Sequence, residues 1–248
     1  LFILVCMYWL YQNNIKKIQK RNQMVLDKIN LEKNVNQSKL KAIKSQMNPH
    51  FFYNALNTLQ SFILSNEKRL AIDYLSKFSN LTRTILEMTE KDFISIADEV
   101  KTLQLYLDIE KGRFDEDFSY EIQVGKNIDQ ESIKIPTMLL QPYVENAVKH
   151  GLLHKQGDKK VVISFEKQNN ELSIKIDDNG IGRQKSSELN QIKNKNHQSF
   201  ATEALQNRID LLNEYNHKNI SLKIIDKHNL QNQPTGTLVE IIIPIHTL

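Results

Sequence analysis

Between Gln12 and Ser65 the only residue of the two helix-breaking types is Pro49. A stretch this long without glycine, and rich in Lys, Gln, Leu and Asn, has little choice but to be helical. Ile15, Ile18, Val25, Ile29, Val35 and Leu40 recur loosely at three- to seven-residue spacing, as in a parallel helical stalk. A second helix is expected over Glu67–Thr89, where Leu70, Tyr74, Phe78, Leu81, Ile85 and Met88 form a stripe at three- and four-residue steps. A third is expected over Ala97–Phe114. Two long helices joined by a few residues make an antiparallel hairpin, and two hairpins make a four-helix bundle.

Composition enters through its distribution. The 248 residues are 40% hydrophobic and 25% charged, which excludes global disorder. Seven glycines and five prolines disfavour a turn-rich β-sandwich, and one cysteine, Cys6, excludes a disulfide scaffold and a cysteine-based zinc site. The net charge of +4 would suit a nucleic-acid partner. Residues 12–50, however, hold nine Lys/Arg against two Asp/Glu, a net of +7, which leaves −3 for the rest of the chain. The basic character belongs to one short segment. Ahead of it, Leu1–Tyr11 is apolar, uncharged and aromatic at its end, and Lys16, Lys17, Lys20 and Arg21 follow. Aromatic belt followed by positive charge is the cytoplasmic flank of a membrane span. A full span takes roughly 20 apolar residues, so residues 1–11 are expected to be the end of a truncated transmembrane helix. Residues 12–40 would be a juxtamembrane stalk, and everything downstream would be cytoplasmic at the cell (inner) membrane. The basic balance therefore points to a membrane, with no direct nucleic acid binding.

After Arg113 the pattern changes from helical periodicity to alternation. Phe118–Val124, Val161–Lys167, Leu172–Ile176, Ile220–Ile225 and Leu238–Ile243 are expected strands. Pro136–His150 is expected to be a helix with proline near its start, and Thr202–Tyr215 another. Residues 183–198 are polar and rich in Lys, Asn and Gln, so they are expected to be a mobile loop. This is an α/β second domain, with its boundary near residue 115.

Two constellations carry chemistry. In the first, Gln46, His50, Asn54 and Asn57 fall at i, i+4, i+8 and i+11, which aligns four polar side chains on one helical face. Met47, Phe51, Leu56, Leu59 and Phe62 supply the apolar face. Pro49 beside His50 should kink or distort the helix, a costly feature that invites a functional reading. A helical histidine alone is ordinarily a solvated surface residue. The second constellation combines Pro142–Gly151 (PYVENAVKHG) with Asp177–Gly182 (DDNGIG) and Gly236-Thr237. The amide of Asn146 suits Mg²⁺ whose other ligands are triphosphate oxygens. Asp178, at the end of a strand, suits the exocyclic amine of a purine, and Gly180 and Gly182 permit close backbone approach. Neither a Walker A sequence nor a dinucleotide GxGxxG pattern is present. Each box alone is weak, and DNGIG alone is an ordinary turn. Their order and spacing together are specific.

The run QMNPHFFYNALNTL, followed by LLQPYVENAVKHG, DDNGIG and GTLVEIIIPI, resembles the LytS-type sensor histidine kinases. The resemblance spans roughly residues 40–245 and includes Leu81-Thr82-Arg83 and Tyr106–Phe114. It implies an α plus α/β chain: a dimerising helical hairpin over residues 41–114, then a GHKL (Bergerat-type) ATP-binding α/β sandwich over 115–248. By the same resemblance His50 is the phosphoacceptor, Asn146 holds Mg²⁺ and Asp178 reads adenine. Gly180, Gly182, Gly236 and Thr237 would line the ATP pocket, with Lys149 and His150 near the phosphates. Asn54, one turn from His50, would orient the imidazole or position water. Two departures stand out. The family's glycine-rich lid is replaced by Ser199–Ile209, which lacks glycine but keeps Arg208 for phosphate. Related ATPases carry a Glu four residues before the Mg²⁺-binding Asn, where this chain has Pro142.

The expected function is therefore a membrane-anchored, homodimeric kinase. It would phosphorylate His50 from ATP with Mg²⁺ and pass the phosphoryl group to a response-regulator aspartate, the regulator having a LytTR-type DNA-binding output. The alternatives are a GHKL ATPase, which Pro142 and the NPHF helix disfavour, and a non-catalytic nucleotide-sensing dimerisation module.

Overall fold

The computed structural model describes residues 12, 15–24, 49–114, 117–193, 206–207, 209–214 and 219–245. The chain divides into two compact units, residues 1–43 and 44–248. Of the first unit, residues 15–24 form helix α1, with Ile18 and Met24 exposed. The apolar run Leu1–Tyr11 and most of the expected stalk lie outside the described residues. No helix among those described is long and apolar enough to cross a membrane.

The second unit opens with α2 (Pro49–Leu64) and α3 (Lys68–Thr89). α2 is described from Pro49 onward, and the expected kink beside His50 turns on preceding residues that lie outside those described. Between the two helices Asn66 takes the left-handed backbone, φ 59°. The Glu67 N–H reaches back to the Phe62 carbonyl at 2.9 Å, closing the end of α2. Ala71, Tyr74, Leu81, Ile85 and Met88 are buried on α3, and Phe51 and Ala55 are buried on α2, which packs against it. Leu70, expected in that stripe, is instead exposed.

A three-residue strand, β1 (Phe93–Ser95), leads into α4 (Ile96–Lys111). Ser95 caps α4 by accepting from the Asp98 N–H at 3.1 Å. Asp98 and Glu99 in its first turn and Lys111 in its last complement the helix dipole. This helix packs on both α3 and the first strand of the main sheet, β2 (Phe118–Val124).

The main sheet has five strands in the order β2-β4-β5-β7-β6, with β4 (Lys159–Gln168), β5 (Glu171–Asp178), β6 (Ser221–His228) and β7 (Pro234–Pro244). The β2–β4 pair is parallel and the others are antiparallel. Alternation sorts the faces. Val161, Ile163 and Phe165 of β4 point inward, as do Leu172, Ile174 and Ile176 of β5 and Val239, Ile241 and Ile243 of β7. Register sets them in rows, Phe165–Ile174–Ile241 and then Ile163–Ile176–Val239. Helical segments cover this face, among them α7 (residues 209–214) with Ile209 and Leu212 buried.

Three expectations are corrected. Pro136 does not begin a helix: Lys134–Pro136 is a strand, β3, pairing antiparallel with β1. Ile94 and Ile135 in this pair are buried, and that burial holds so short a ladder. Helix α5 begins only at Gln141, and Pro142 takes the place at its start. Finally, residues 183–193 are not a loop but helix α6 (Arg183–Lys193). Among its described side chains, residues 183–189, only Ser186 is buried. The guanidinium of Arg183 grips Asp226 of β6 through two bonds of 2.7 and 2.6 Å, anchoring the helix start.

The helical core depends on few large side chains, and Leu81 is fully buried among them. Leu81→Ala is expected to lower the unfolding free energy by about 2–5 kcal/mol, read as a lower urea midpoint at unchanged slope.

Candidate functional site

The third row across the sheet is Val161–Asp178–Thr237. Period-two alternation therefore continues the inward stripe Leu172–Ile174–Ile176 to a carboxylate. Asp178 is 4% exposed, the one carboxylate at the inner end of an otherwise aliphatic face. Its Oδ1 accepts from the Gly180 N–H at 2.8 Å, and the Thr237 N–H also bonds to it.

Backbone comes this close only because side chains are missing. A Cβ on Gly180 would lie 2.5 Å from the backbone of Gly151, and one on Gly151 would lie 2.9 Å from Oδ1 of Asp178. Gly236, at φ +134°, passes so near that a Cβ there would meet the Asp178 carbonyl at 2.0 Å. The Ile181 N–H donates to the Gly151 carbonyl at 3.0 Å, so the DNGIG turn is stitched directly to the helix above it. Asn179 holds the other side of the turn, accepting from the Lys160 N–H at 2.8 Å and donating to the Asp158 carbonyl at 3.1 Å.

That overlying helix is irregular. α5 (Gln141–Asn146) runs into a π-helical turn, Ala147–Leu152, whose wider ring is seen in the Leu153 N–H bonding to Val148, five residues back, at 3.0 Å. The turn lies across β4, β5 and β7 and against α6. Ala147, Val148 and Leu152 are buried beneath it, whereas Asn146, Lys149 and His150 are half-buried at its edge. An extra residue in one turn re-aims the side chains that follow, which is why π turns gather at functional sites.

The expected site residues thus divide into groups. Asp178, Gly180, Gly236 and Thr237 meet at one end of the sheet, under the segment that carries Asn146, Lys149 and His150. Gly182, at φ +78°, packs beside Pro234 at the start of β7. His50 is the second residue of α2, although its side chain is outside the described residues, and Asn54 follows one turn on, half-buried. The Asn54 carbonyl accepts from the Thr58 hydroxyl at 3.0 Å. Arg208 and most of the altered lid lie outside the described residues. Gly151 is the residue that motif reading passes over, since its part is close approach and nothing in a helical sequence signals that.

Residues 38–118 match the family model of histidine kinases. The sensor histidine kinase BtsS of Escherichia coli K12 is 35% identical over 147 residues, which cover 58% of this chain and 25% of that one. The sensor protein LytS of Oceanobacillus iheyensis is 31% identical over 217 residues, covering 86% of this chain and 36% of that one. The chain is thus similar to LytS-type sensor histidine kinases over its matched residues. It spans between a quarter and about a third of the length of these relatives. Among solved structures, a histidine kinase domain from Erythrobacter litoralis overlays with a TM-score of 0.45 at 11% identity, covering 79% of this chain and 96% of that one.

The electrostatics of Asp178 have one dominant cause. Burial pushes its carboxyl up to about 6, against smaller opposing contributions from the Gly180 N–H and the Lys227 ammonium. Lys227 is itself ion-paired with the neighbouring Asp177. Because the folded pKa lies above the ordinary carboxylate value, the folded form holds a proton that the unfolded chain releases between about pH 4 and pH 6. Stability without nucleotide is then present in full below that window and falls as pH rises through it. The fall is on the order of 2–3 kcal/mol from this group. Asp178→Asn keeps an oxygen for the Gly180 N–H and removes the buried charge. The variant should therefore resist urea better than the parent at pH 7.5, with the gap closing as pH approaches 4.

Proposed function

We propose that this chain is the cytoplasmic part of a membrane-anchored, homodimeric sensor kinase that phosphorylates His50 from ATP and hands the phosphoryl group to a response-regulator aspartate. The observation that carries the reading is the buried Asp178 carboxylate, walled by glycine backbone under a π turn, in the same compact unit as the helix bearing His50. A carboxylate so enclosed accepts a hydrogen bond from the adenine amine, and the close backbone of Gly151, Gly180 and Gly236 holds that carboxylate in place for it. Thr237, and Gly182 beside Pro234, complete that end of the pocket in this reading.

Asn146, Lys149 and His150 sit along the exposed edge of the α5–π segment, where a triphosphate leaving the adenine end would run. An uncharged amide such as Asn146 suits Mg²⁺ that arrives already held by phosphate oxygens. When bound, Mg²⁺ would neutralise the charge that builds on those oxygens during transfer. Lys149 and His150 add positive and hydrogen-bonding partners on the same edge, and Arg208 adds another from the lid.

The neutral imidazole of His50 is a nucleophile near pH 7. One ring nitrogen forms a bond to the γ-phosphorus, the bond from that phosphorus to the bridging oxygen breaks, and ADP departs with the electron pair. The ring proton passes to solvent or to a base. Asn54, one turn along α2, orients the ring or positions water. The phosphoryl group then moves to a carboxylate of the response regulator, read here as one with a LytTR-type output. Residues 1–11 anchor the chain in the membrane, residues 12–40 link to it, residues 41–114 dimerise and carry the histidine, and residues 115–248 bind ATP.

Incubation with γ-labelled ATP and Mg²⁺ tests the reading. The protein should acquire acid-labile, alkali-stable label that is absent in His50→Gln. Label surviving that substitution would sink the His50 assignment, and phosphate release without labelled protein would favour an ATPase.

A further inference from the structure

The helix that carries Asn146 starts without a cap of its own. Leu140 stands at the N-cap position of α5, where an apolar side chain has nothing to offer the first N–H groups, and Pro142 follows. The bond comes from another helix. Glu99, in the first turn of α4 and 2% exposed, accepts from the Leu140 N–H at 3.3 Å. In a capping box the residue three positions into the helix makes this reach back to the N-cap N–H. Here that position is Tyr143, and a carboxylate forty-one positions upstream of Leu140 takes its part.

The approach to Leu140 is held at its other end as well. Thr137, 1% exposed, donates through its hydroxyl to the Lys91 carbonyl at 2.8 Å and through its N–H to the Asp92 carbonyl at 3.0 Å. Lys91 and Asp92 belong to the short stretch that leaves α3 after Thr89. Between Thr137 and Leu140, Met138 takes the left-handed backbone at φ 60° although its side chain is buried. A residue other than glycine keeps that conformation only where its surroundings over-determine it. The bonds of Thr137 on one side and of Leu140 on the other do so.

A buried carboxylate is a costly cap, because desolvation opposes it. A serine or aspartate at position 140 would satisfy the helix start within α5 alone. What Glu99 adds is a tie: α5 cannot shift at its start without losing a bond to α4, nor the connector without losing its bonds to the end of α3. The far end of the segment is pinned separately, by the Ile181 N–H on the Gly151 carbonyl. Asn146 lies between the two, about 9 Å from Leu140 at the usual helical rise, so the start of α5 sets its placement.

We propose that Glu99 and Thr137 are positioning residues that fix the start of the Asn146 helix against α4 and the end of α3. The use of that position, to hold Mg²⁺ on a bound nucleotide, rests on the kinase reading above; the joint itself does not.

The test uses the whole chain, ADP as the ligand with and without Mg²⁺, and the variants Thr137→Val, Thr137→Ser and Glu99→Met. Thr137→Val keeps the shape of the side chain and removes the hydroxyl, so it carries the test if Glu99→Met fails to fold. Thr137→Ser keeps the hydroxyl. Without nucleotide, Thr137→Val and Glu99→Met should speed amide hydrogen exchange over residues 143–148 about fivefold or more, while β4 and β5 keep the parent rates. ADP affinity without Mg²⁺ should stay within about twofold of the parent, whereas the Mg²⁺ concentration needed to tighten ADP should rise about tenfold, as when a group that orients a metal ligand is removed. Thr137→Ser should match the parent in both measurements. The proposal is overturned if exchange over residues 143–148 is unchanged in Thr137→Val, if it rises equally in β4 and β5, or if Thr137→Ser loosens the segment as much as Thr137→Val. It is also overturned if ADP binding weakens equally with and without Mg²⁺. A parent that gains nothing from Mg²⁺, while residues 143–148 still loosen in the variants, would sink the assignment of Asn146 as a metal ligand and leave the joint standing.

Discussion

The arrangement at this end of the molecule depends on a backbone-to-backbone approach. Gly180 lies so close to Gly151 that no side chain fits between them, and the Ile181 N–H bonds to the Gly151 carbonyl across the gap. With that contact made, the π turn is pinned over the ends of β4, β5 and β7 and Asp178 is sealed from water. Without it, the helix would ride higher on the sheet and the carboxylate would be hydrated. Its pKa would then lie in the ordinary range, and a ligand amine would find no advantage there over bulk water. The glycines thus act through the dielectric around Asp178.

That sealing has a cost in the absence of ligand. Burying an ionised carboxylate above pH 6 costs stability, and the Gly180 and Thr237 N–H groups and the Lys227 charge offset it in part. Lys227 is shared, being paired with Asp177 on the outer side of the same strand end. The offset is deliberately incomplete in physical terms, since a fully satisfied carboxylate would gain little from a ligand. A site that is strained when empty and relieved when filled is the usual trade of stability for function.

How much of this was legible in the sequence follows from what kind of signal each element sends. The α3 stripe and the β2, β4 and β5 alternations are long enough to read, and their observed ends lie within a few residues of those expected. β1 and β3 were not readable, because three residues with one buried isoleucine apiece carry no period. Helix α6 was missed because hydrophobic periodicity reports burial, and this helix buries almost nothing; its anchor is the Arg183–Asp226 pair, forty-three positions apart. Asp178 was legible as the last member of an alternating run, and Gly180 and Gly236 as turn and strand glycines near it. Gly151 was not, since a glycine inside a helix says only that something comes near. The Tyr106–Phe114 run could be matched to relatives but not explained, for its meaning lies in which helix each side chain touches.

The helical hairpin shows why that run sits where it does. α3 carries more apolar residues than one neighbour can cover: Tyr74, Leu81 and Ile85 are buried, while Ile72, Leu75 and Leu86 are exposed in the single chain. On α2, Phe51 and Ala55 are buried while Tyr53, Leu56 and Ile63 are exposed. Each helix therefore has two apolar aspects, one turned to its own chain and one left open. Sensor histidine kinases typically homodimerise, and a second hairpin is the natural cover for the open aspect. The covered aspect of α3 is then taken up by α2 and α4 of the same chain.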